Sequence, residues 1–304
     1  MYEEYTNLLD NDLKRIKRIP AQQEEEISTM EEGLEQFKDY FHGDGTVVSI
    51  VNQKGGCGKT TTAVNLSACL ANHGYKTLLI DADAQGQASL GLGLNNLEDQ
   101  ITLCDVLTKG KDIKKAVVPT YIENLDMITA NFSLSGAQLR LANFLGRQSI
   151  LKLALQRIKI SNTYDFIIID CSPSLNLITI NALVSSQYAL IPFQTHYYSL
   201  EGMKELFYTI KLLKDKFNPE LDSLGLLATL YDKRNKTNTQ ILQQVRDYFK
   251  DKVFDTVIRL NVKLSEAPIY KKSIYDYNGK SRGATDYLSL TKEVVYRVVM
   301  ANKG

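Results

Sequence analysis

Long apolar runs, paired cysteines and clustered histidines are all missing from this 304-residue chain. No apolar stretch approaches the roughly 20 residues that a membrane-spanning helix needs. Met1-Tyr2-Glu3-Glu4 supplies neither a basic n-region nor an apolar h-region, so no signal peptide is expected. The cysteines (Cys57, Cys69, Cys104, Cys171) are scattered without a C-x-x-C pair. They read as reduced thiols in a cytoplasm, and an iron–sulfur cluster would lack its ligand pairs. His42, His73 and His196 show no ligand spacing, so no metal is expected beyond one bound with a nucleotide. Internal repeats and low-complexity tracts are also missing. What remains, 44% hydrophobic and 23% charged, is the composition of an ordinary soluble globular protein. The length suits one large α/β domain or two smaller ones.

The net charge of +1 hides an asymmetry. Residues 1–45 hold five basic and twelve acidic residues, about −7, which leaves about +8 on the remainder. A basic body can bind phosphate backbones, and an acidic segment can compete for that surface. A solvated acidic helix accounts for the same numbers. Within this segment Tyr5, Leu9, Leu13 and Ile16 recur at helical spacing until Pro20. Ile27, Met30, Leu34, Phe37 and Phe41 then form a heptad-like seam about two heptads long, weakened by Gly33. A helix packing on the body or on a partner subunit is expected, with His42–Gly45 as a linker. The expected division is an acidic helical extension over 1–45 and a nucleotide-binding domain over 46–304.

Beyond residue 45 strands and helices alternate. Strands are expected at Val47–Val51, Lys76–Asp81, Asn124–Ile128, Asp165–Asp170, Tyr188–Pro192, Leu224–Leu230 and Val253–Ile258. Helices are expected at Thr60–Asn72, Leu139–Ile160, Leu175–Ser185, Leu200–Phe217, Thr239–Phe249 and Asp286–Met300. The fold class is therefore α/β, a mostly parallel twisted sheet with helices on both faces. Ligands in such sheets bind at the carboxyl ends of the strands.

The strongest motif is N-Q-K-G-G-C-G-K-T-T-T over residues 52–62, between the first strand and the first helix. A glycine-rich turn there aims backbone N–H groups and a helix N-terminus at a phosphate chain. Lys59 can reach the β- and γ-phosphates, and the Thr60 hydroxyl can sit on Mg²⁺. The common P-loop pattern would place glycine where Gln53 stands, and an extra lysine, Lys54, precedes Gly55 and Gly56. Asp170 ends an apolar strand, the Walker B arrangement that completes a magnesium site. Asp81-Ala82-Asp83-Ala84-Gln85-Gly86 suits a loop that senses the γ-phosphate and orients water. Cys171-Ser172-Pro173-Ser174 would be the second switch-like loop.

Together K-G-G-C-G-K-T-T, D-A-D-A-Q-G, I-I-I-D-C-S-P-S and N-V-K-L-S-E-A-P resemble the deviant-Walker ATPases of the ParA/Soj/MinD family, most of all its DNA-partition branch, over about residues 46–301. The resemblance implies ATP and Mg²⁺ as cofactors and a slow, partner-stimulated ATP hydrolase. Lys54 matches the signature lysine that reaches the partner's phosphates across a nucleotide-sandwich homodimer. Gly55, Gly56, Cys57, Gly58, Lys59, Thr60 and Thr61 match the phosphate loop. Thr60, Asp81 and Asp170 are the metal set, and Asp83 matches the carboxylate that positions water. Asn261 falls where the family contacts adenine. Here the chain reads I-R-L-N-V where relatives commonly have Pro-Arg-Asn, and Ala84 replaces a frequent proline.

In Soj-like relatives, nonspecific double-stranded DNA is bound by basic residues on the dimer surface. Arg234 and Lys263 match two such positions, and Lys233 and Lys236 flank the first. A ParB-like centromere-binding protein is the expected partner, and the location is cytoplasmic, on the nucleoid. Two other readings stay open. A MinD-like membrane-positioning ATPase would need a basic amphipathic tail, whereas Tyr287, Leu290, Val294 and Val298 line a face suited to the core. ATP could instead act only as a dimerisation ligand in a regulator or scaffold. A tyrosine-kinase module would need its tyrosines on a free tail, and Tyr270, Tyr275, Tyr277 and Tyr287 do not form one.

Overall fold

Strands β1 (Asp44–Ile50), β2 (Thr77–Ala82), β3 (Val117–Pro119), β4 (Leu125–Ile128), β5 (Tyr164–Cys171), β6 (Tyr188–Gln194), β7 (Asp222–Tyr231) and β8 (Val253–Arg259) form one sheet in the computed structural model. The structure describes residues 34–41, 43–94, 99–159, 161, 163–195 and 199–303. The expectations placed on Tyr5–Ile16, Pro20, Ile27, Met30, His42 and His196 lie outside them. The strand order is β3-β4-β2-β5-β1-β6-β7-β8, parallel except for β3 against β4. This is the expected α/β architecture.

Helices α1 (Lys59–Asn72), α2 (Gln87–Gly91), α3 (Leu103–Lys109), α4 (Ala137–Leu141), α5 (Ile150–Lys159), α6 (Leu177–Ser185), α7 (Ser199–Lys216), α8 (Lys236–Phe249), α9 (Val262–Glu266), α10 (Ile274–Asn278) and α11 (Arg282–Lys303) cover the sheet. On β5 the side chains alternate between two cores. Ile167 and Ile169 face α3 to α8, while Phe166 and Ile168 face α1, α10 and α11. A strand buried on both sides reads as an unbroken apolar run, which is why F-I-I-I carries no polar alternation. Tyr287, Leu290, Val294 and Val298 of α11 are all buried in the second core. The apolar face of this last helix is therefore covered by the body.

Two expectations change. Leu139–Ile160 is not one helix: α4 ends at Leu141, and Gly146 takes φ +70 before α5 begins. Asn181 of α6 fixes the break, donating to the Arg147 carbonyl at 2.8 Å and accepting from Leu151 N at 3.1 Å. The expected linker is partly strand, since β1 starts at Asp44 and Gly43 N donates to Asp165 Oδ1. Residues 34–41, expected to pack on the body or on a partner subunit, pack on the body. Leu34 is completely buried, its carbonyl accepts from the Tyr75 hydroxyl at 2.8 Å, and Phe41 packs on Phe166 with ring centroids 4.7 Å apart.

Candidate functional site

β1 feeds the glycine loop from the middle of the sheet. Gly56 (φ +72) and Gly58 (φ +83) adopt the left-handed region, which a side chain disfavours and which turns successive N–H groups inward. Neighbouring strands anchor the loop. Asn52 Nδ2 donates to the Pro192 carbonyl at 2.7 Å, Gln194 Nε2 to the Gly56 carbonyl at 2.8 Å, and Thr229 Oγ1 to the Cys57 carbonyl at 2.8 Å. Gly58 is the N-cap of α1, no side chain caps the helix there, and its first turn has no acidic residue. The orphan N–H groups and the positive end of a 14-residue helix therefore face the loop.

Lys59 is buried at 7% exposure, and its Nζ donates to the Lys54 carbonyl at 2.9 Å. Lys54 is exposed, and its N–H is held by Asn52 Oδ1 at 2.9 Å. Cys57 is buried within the loop, and burial pushes its thiol pKa up despite the nearby Lys59 charge.

The carboxylates converge as the motif spacing implied. β2 and β5 pair in register, so Asp81 lies opposite Asp170 and Ile50 also pairs with Asp170. Both aspartates are completely buried. Neither Asp170 oxygen has a hydrogen-bond partner of ordinary geometry. Burial, then the Asp81 charge, raises Asp170 well above the usual carboxylate range, and the nearby Thr60 hydroxyl acts the other way. A buried, unsatisfied acceptor pair is costly. The uncapped helix start, the inward N–H groups and this orphan carboxylate beside Thr60 together fit a magnesium-bound phosphate chain.

Asp81, expected in the metal set, has oxygens that hold three donors. Oδ1 accepts from Asp83 N at 3.1 Å, and Oδ2 accepts from Ser89 N at 2.9 Å and Ser89 Oγ at 2.8 Å. Ser89 Oγ in turn accepts from Ala130 N at 3.2 Å. Asp81 is thus a clamp on the loop that carries Asp83. Burial pushes its pKa up to about 6 against these hydrogen bonds. Asp83 is half-buried, and its Oδ1 accepts from Gln85 N. A cavity of about 500 Å³ opens between Asp83 and the Ser172–Ser174 loop. Ser89, Thr229 and Gln194 carried no motif in the sequence, since each acts through a contact made only by the fold.

Asn261 caps α9 through its Oδ1, which accepts from Lys263 N at 2.9 Å. A cavity of about 220 Å³ beside α1 is lined by Thr60, Thr61, Ala267, Pro268 and Lys272 among others, and Asn261 is not part of it. Arg234 and Lys263 follow the carboxyl ends of the adjacent strands β7 and β8, where Leu260 N donates to the Tyr231 carbonyl. Both cations are paired. Arg234 forks onto Asp232, and Lys263 Nζ lies 2.8 Å from Glu266 Oε2 and above the Tyr277 ring. Lys233 and Lys236 flank Arg234 and are exposed.

The AAA domain family matches residues 45–223. The sporulation initiation inhibitor protein Soj of Bacillus subtilis is 46% identical over 250 residues, 82% of this chain and 98% of that protein. The chromosome partitioning protein ParA of Caulobacter vibrioides is 42% identical over 83% of this chain and 94% of its own length. Among solved structures, a Mycobacterium smegmatis protein described as cobyrinic acid a,c-diamide synthase, with bound ATP analog and magnesium, is 31% identical. It superposes with a TM-score of 0.71 over 81% of this chain and 93% of that one. The chain therefore belongs to the Soj/ParA family of chromosome-partitioning ATPases.

Proposed function

We propose that this chain is an ATP-driven switch that binds DNA nonspecifically as a nucleotide-bridged homodimer and moves a cargo bound by a ParB-like partner. The observation that carries the nucleotide part is Asp170, a buried carboxylate with two unpartnered oxygens at the mouth of an uncapped helix and a glycine loop. In this reading the loop N–H groups and Lys59 hold the phosphates of ATP. Thr60 and Asp170 hold magnesium, which when bound neutralises charge on the phosphate oxygens. Asp83 orients the attacking water, and Asp81 with Ser89 fixes the loop from which Asp83 reaches in. Lys54 is exposed and bears on the phosphates of the facing subunit, so each site is complete only in the dimer.

DNA binding is supported by the positions of Arg234, Lys233, Lys236 and Lys263 after the carboxyl ends of β7 and β8. Two such edges aligned in a dimer would multiply phosphate contacts, so affinity follows ATP. The test is binding to random-sequence duplex DNA with ATP, with ADP and without nucleotide, over a salt series. Steeply salt-dependent binding with ATP alone supports the switch. Equal or absent binding in all three states discards it. Asp83→Ala should trap the ATP dimer on DNA, and ordinary turnover in that variant would remove Asp83 from its role.

A further inference from the structure

From Met127 to Tyr164 the chain contains no carboxylate and five cations, Arg140, Arg147, Lys152, Arg157 and Lys159. The same stretch turns large apolar side chains outward. Leu139 is 81% exposed and Leu145 entirely so, with Phe132, Phe144 and Leu153 also in solvent. Single exposed apolar residues need no explanation. Five in one segment whose own charges are all positive, Arg157 lying 4.0 Å from Asp112 outside it, mark an interaction surface.

The segment is held in place on α6: Asn181 fixes residues 147 and 151, and Gln138 Oε1 accepts from Leu177 N. It also borders the switch region, since Leu134, Ser135 and Gln138 line the cavity shared with Asp83 and Ser172.

A phosphate backbone would use the cations but leave the leucines in water. An acidic segment with apolar anchors would use both. This chain contains one: residues 21–33 hold Glu24, Glu25, Glu26, Glu31 and Glu32 around Ile27 and Met30, with no lysine or arginine. Leu34, which follows, is buried in the core on the opposite face of the sheet. Seven extended residues reach at most about 25 Å, and Leu34 and the helices of this surface belong to opposite faces of the sheet. A second copy has no such constraint.

We propose that residues 24–32 of one copy dock on the Phe132–Arg157 surface of a second copy, an association that needs no ATP and lies beside the cleft between the Asp83 and Ser172 loops. It stands apart from the nucleotide-bridged dimer and from DNA binding. The full chain in ADP, without DNA, is examined by sedimentation over a range of concentrations at low and high salt. Concentration-dependent self-association that weakens in salt is expected.

The Arg140→Glu/Arg147→Glu/Arg157→Glu chain should associate at least about tenfold more weakly, and Leu139→Ser/Leu145→Ser should do the same at unchanged thermal midpoint. The Glu24→Lys/Glu25→Lys/Glu26→Lys chain should also fail to associate with itself, yet form a complex when mixed with the triple-glutamate chain. A monomer at every concentration overturns the proposal, as does association that ignores these variants. Retention of a monomer on anionic vesicles, lost in the triple-glutamate chain, would assign the surface to lipid and overturn it too.

Discussion

Asp232 grips Arg234 from two positions earlier in the same turn: Nε donates to Oδ1 at 3.0 Å and Nη2 donates to Oδ2 at 2.9 Å. The guanidinium fork that would meet a DNA phosphate is therefore already matched to a planar anion. The pairing holds the Asp232 carboxyl below its ordinary range, so it persists through neutral and mildly acid pH. DNA has to displace Asp232 to use Arg234. Asp232→Asn should strengthen binding of the ATP-loaded chain to random duplex DNA about two- to fivefold, the scale of an exposed ion pair. It should also steepen the salt dependence, because a freed cation releases a counterion on binding. Arg234→Glu should lose DNA while keeping ATP-dependent dimerisation. Unchanged affinity in Asp232→Asn would mean that Arg234 does not meet the phosphates.

Asp170 and Asp81 set a cost on the nucleotide-free chain. Both folded pKa values lie above the unfolded carboxylate value, Asp81 near 6. A raised carboxyl contributes stability that is present below its unfolded pKa and is lost as pH rises through its folded pKa. The nucleotide-free chain should therefore lose stability from this pair as pH rises from about 4, through about 6 for Asp81 and through the raised value of Asp170. Asp170→Asn removes the uncompensated charge. Its thermal midpoint without nucleotide should rise by roughly 2–6 °C at pH 8, and the gain should shrink toward pH 5. Magnesium-dependent ATP hydrolysis should be lost in the same variant. A midpoint that falls at pH 8 would show that Asp170 is satisfied in the free chain.

Leu34 and Phe41 belong to the seam expected to pack on the body or on a partner subunit, and both pack against the body. Leu34 leaves no surface exposed, and Phe41 fills the corner between Tyr75 and Phe166. Leu34→Ala should cost about 2–5 kcal/mol and Phe41→Ala a similar amount, reduced by the partial exposure of Phe41. Chemical denaturation at constant m-value measures both. A loss under about 0.5 kcal/mol in each would place the start of the folded body at β1.

The sheet and the glycine turn after β1 were legible because their signals are local. An apolar run marks a doubly buried strand, and glycine spacing marks the loop between β1 and α1. Two carboxylates at strand ends must meet once the strands are parallel neighbours. The break before α5 was hidden, because Gly146 looks tolerable in a helix and the group that fixes the break, Asn181, comes 35 positions later. Helix α3 was missed although its signals are local: a Thr102–Asp105 capping box opens it and Gly110 at φ +63 closes it. Strand β3 escaped because Val117–Pro119 is only three residues and ends in proline. The pairing of Arg234 with Asp232 depends on a turn geometry that spacing alone does not reveal. The clamp on Asp81 was hidden because nothing in the sequence announces Ser89 as its hydrogen-bond partner.

Ser89 tests whether that clamp matters for turnover. Its hydroxyl donates to Asp81 Oδ2 and accepts from Ala130 N, tying the Asp83 loop to the end of β4. Gly86 in the same loop sits at φ +60, and a Cβ there would lie 2.8 Å from the Ala130 carbonyl oxygen. Ser89→Ala keeps the backbone donor to Asp81 but leaves Ala130 N unpaired in a buried place. Gly86→Ala pushes the loop away from the same strand end. Neither change touches the glycine loop, Lys59 or Thr60. Both variants should lower kcat about tenfold or more, equivalent to about 1.4 kcal/mol of misplaced water-orienting geometry. ATP affinity should stay within about twofold. Steady-state hydrolysis alongside direct nucleotide titration separates the two quantities. If affinity and kcat fall together, the clamp supports only the fold. If neither falls, the loop carrying Asp83 is positioned by something other than Asp81.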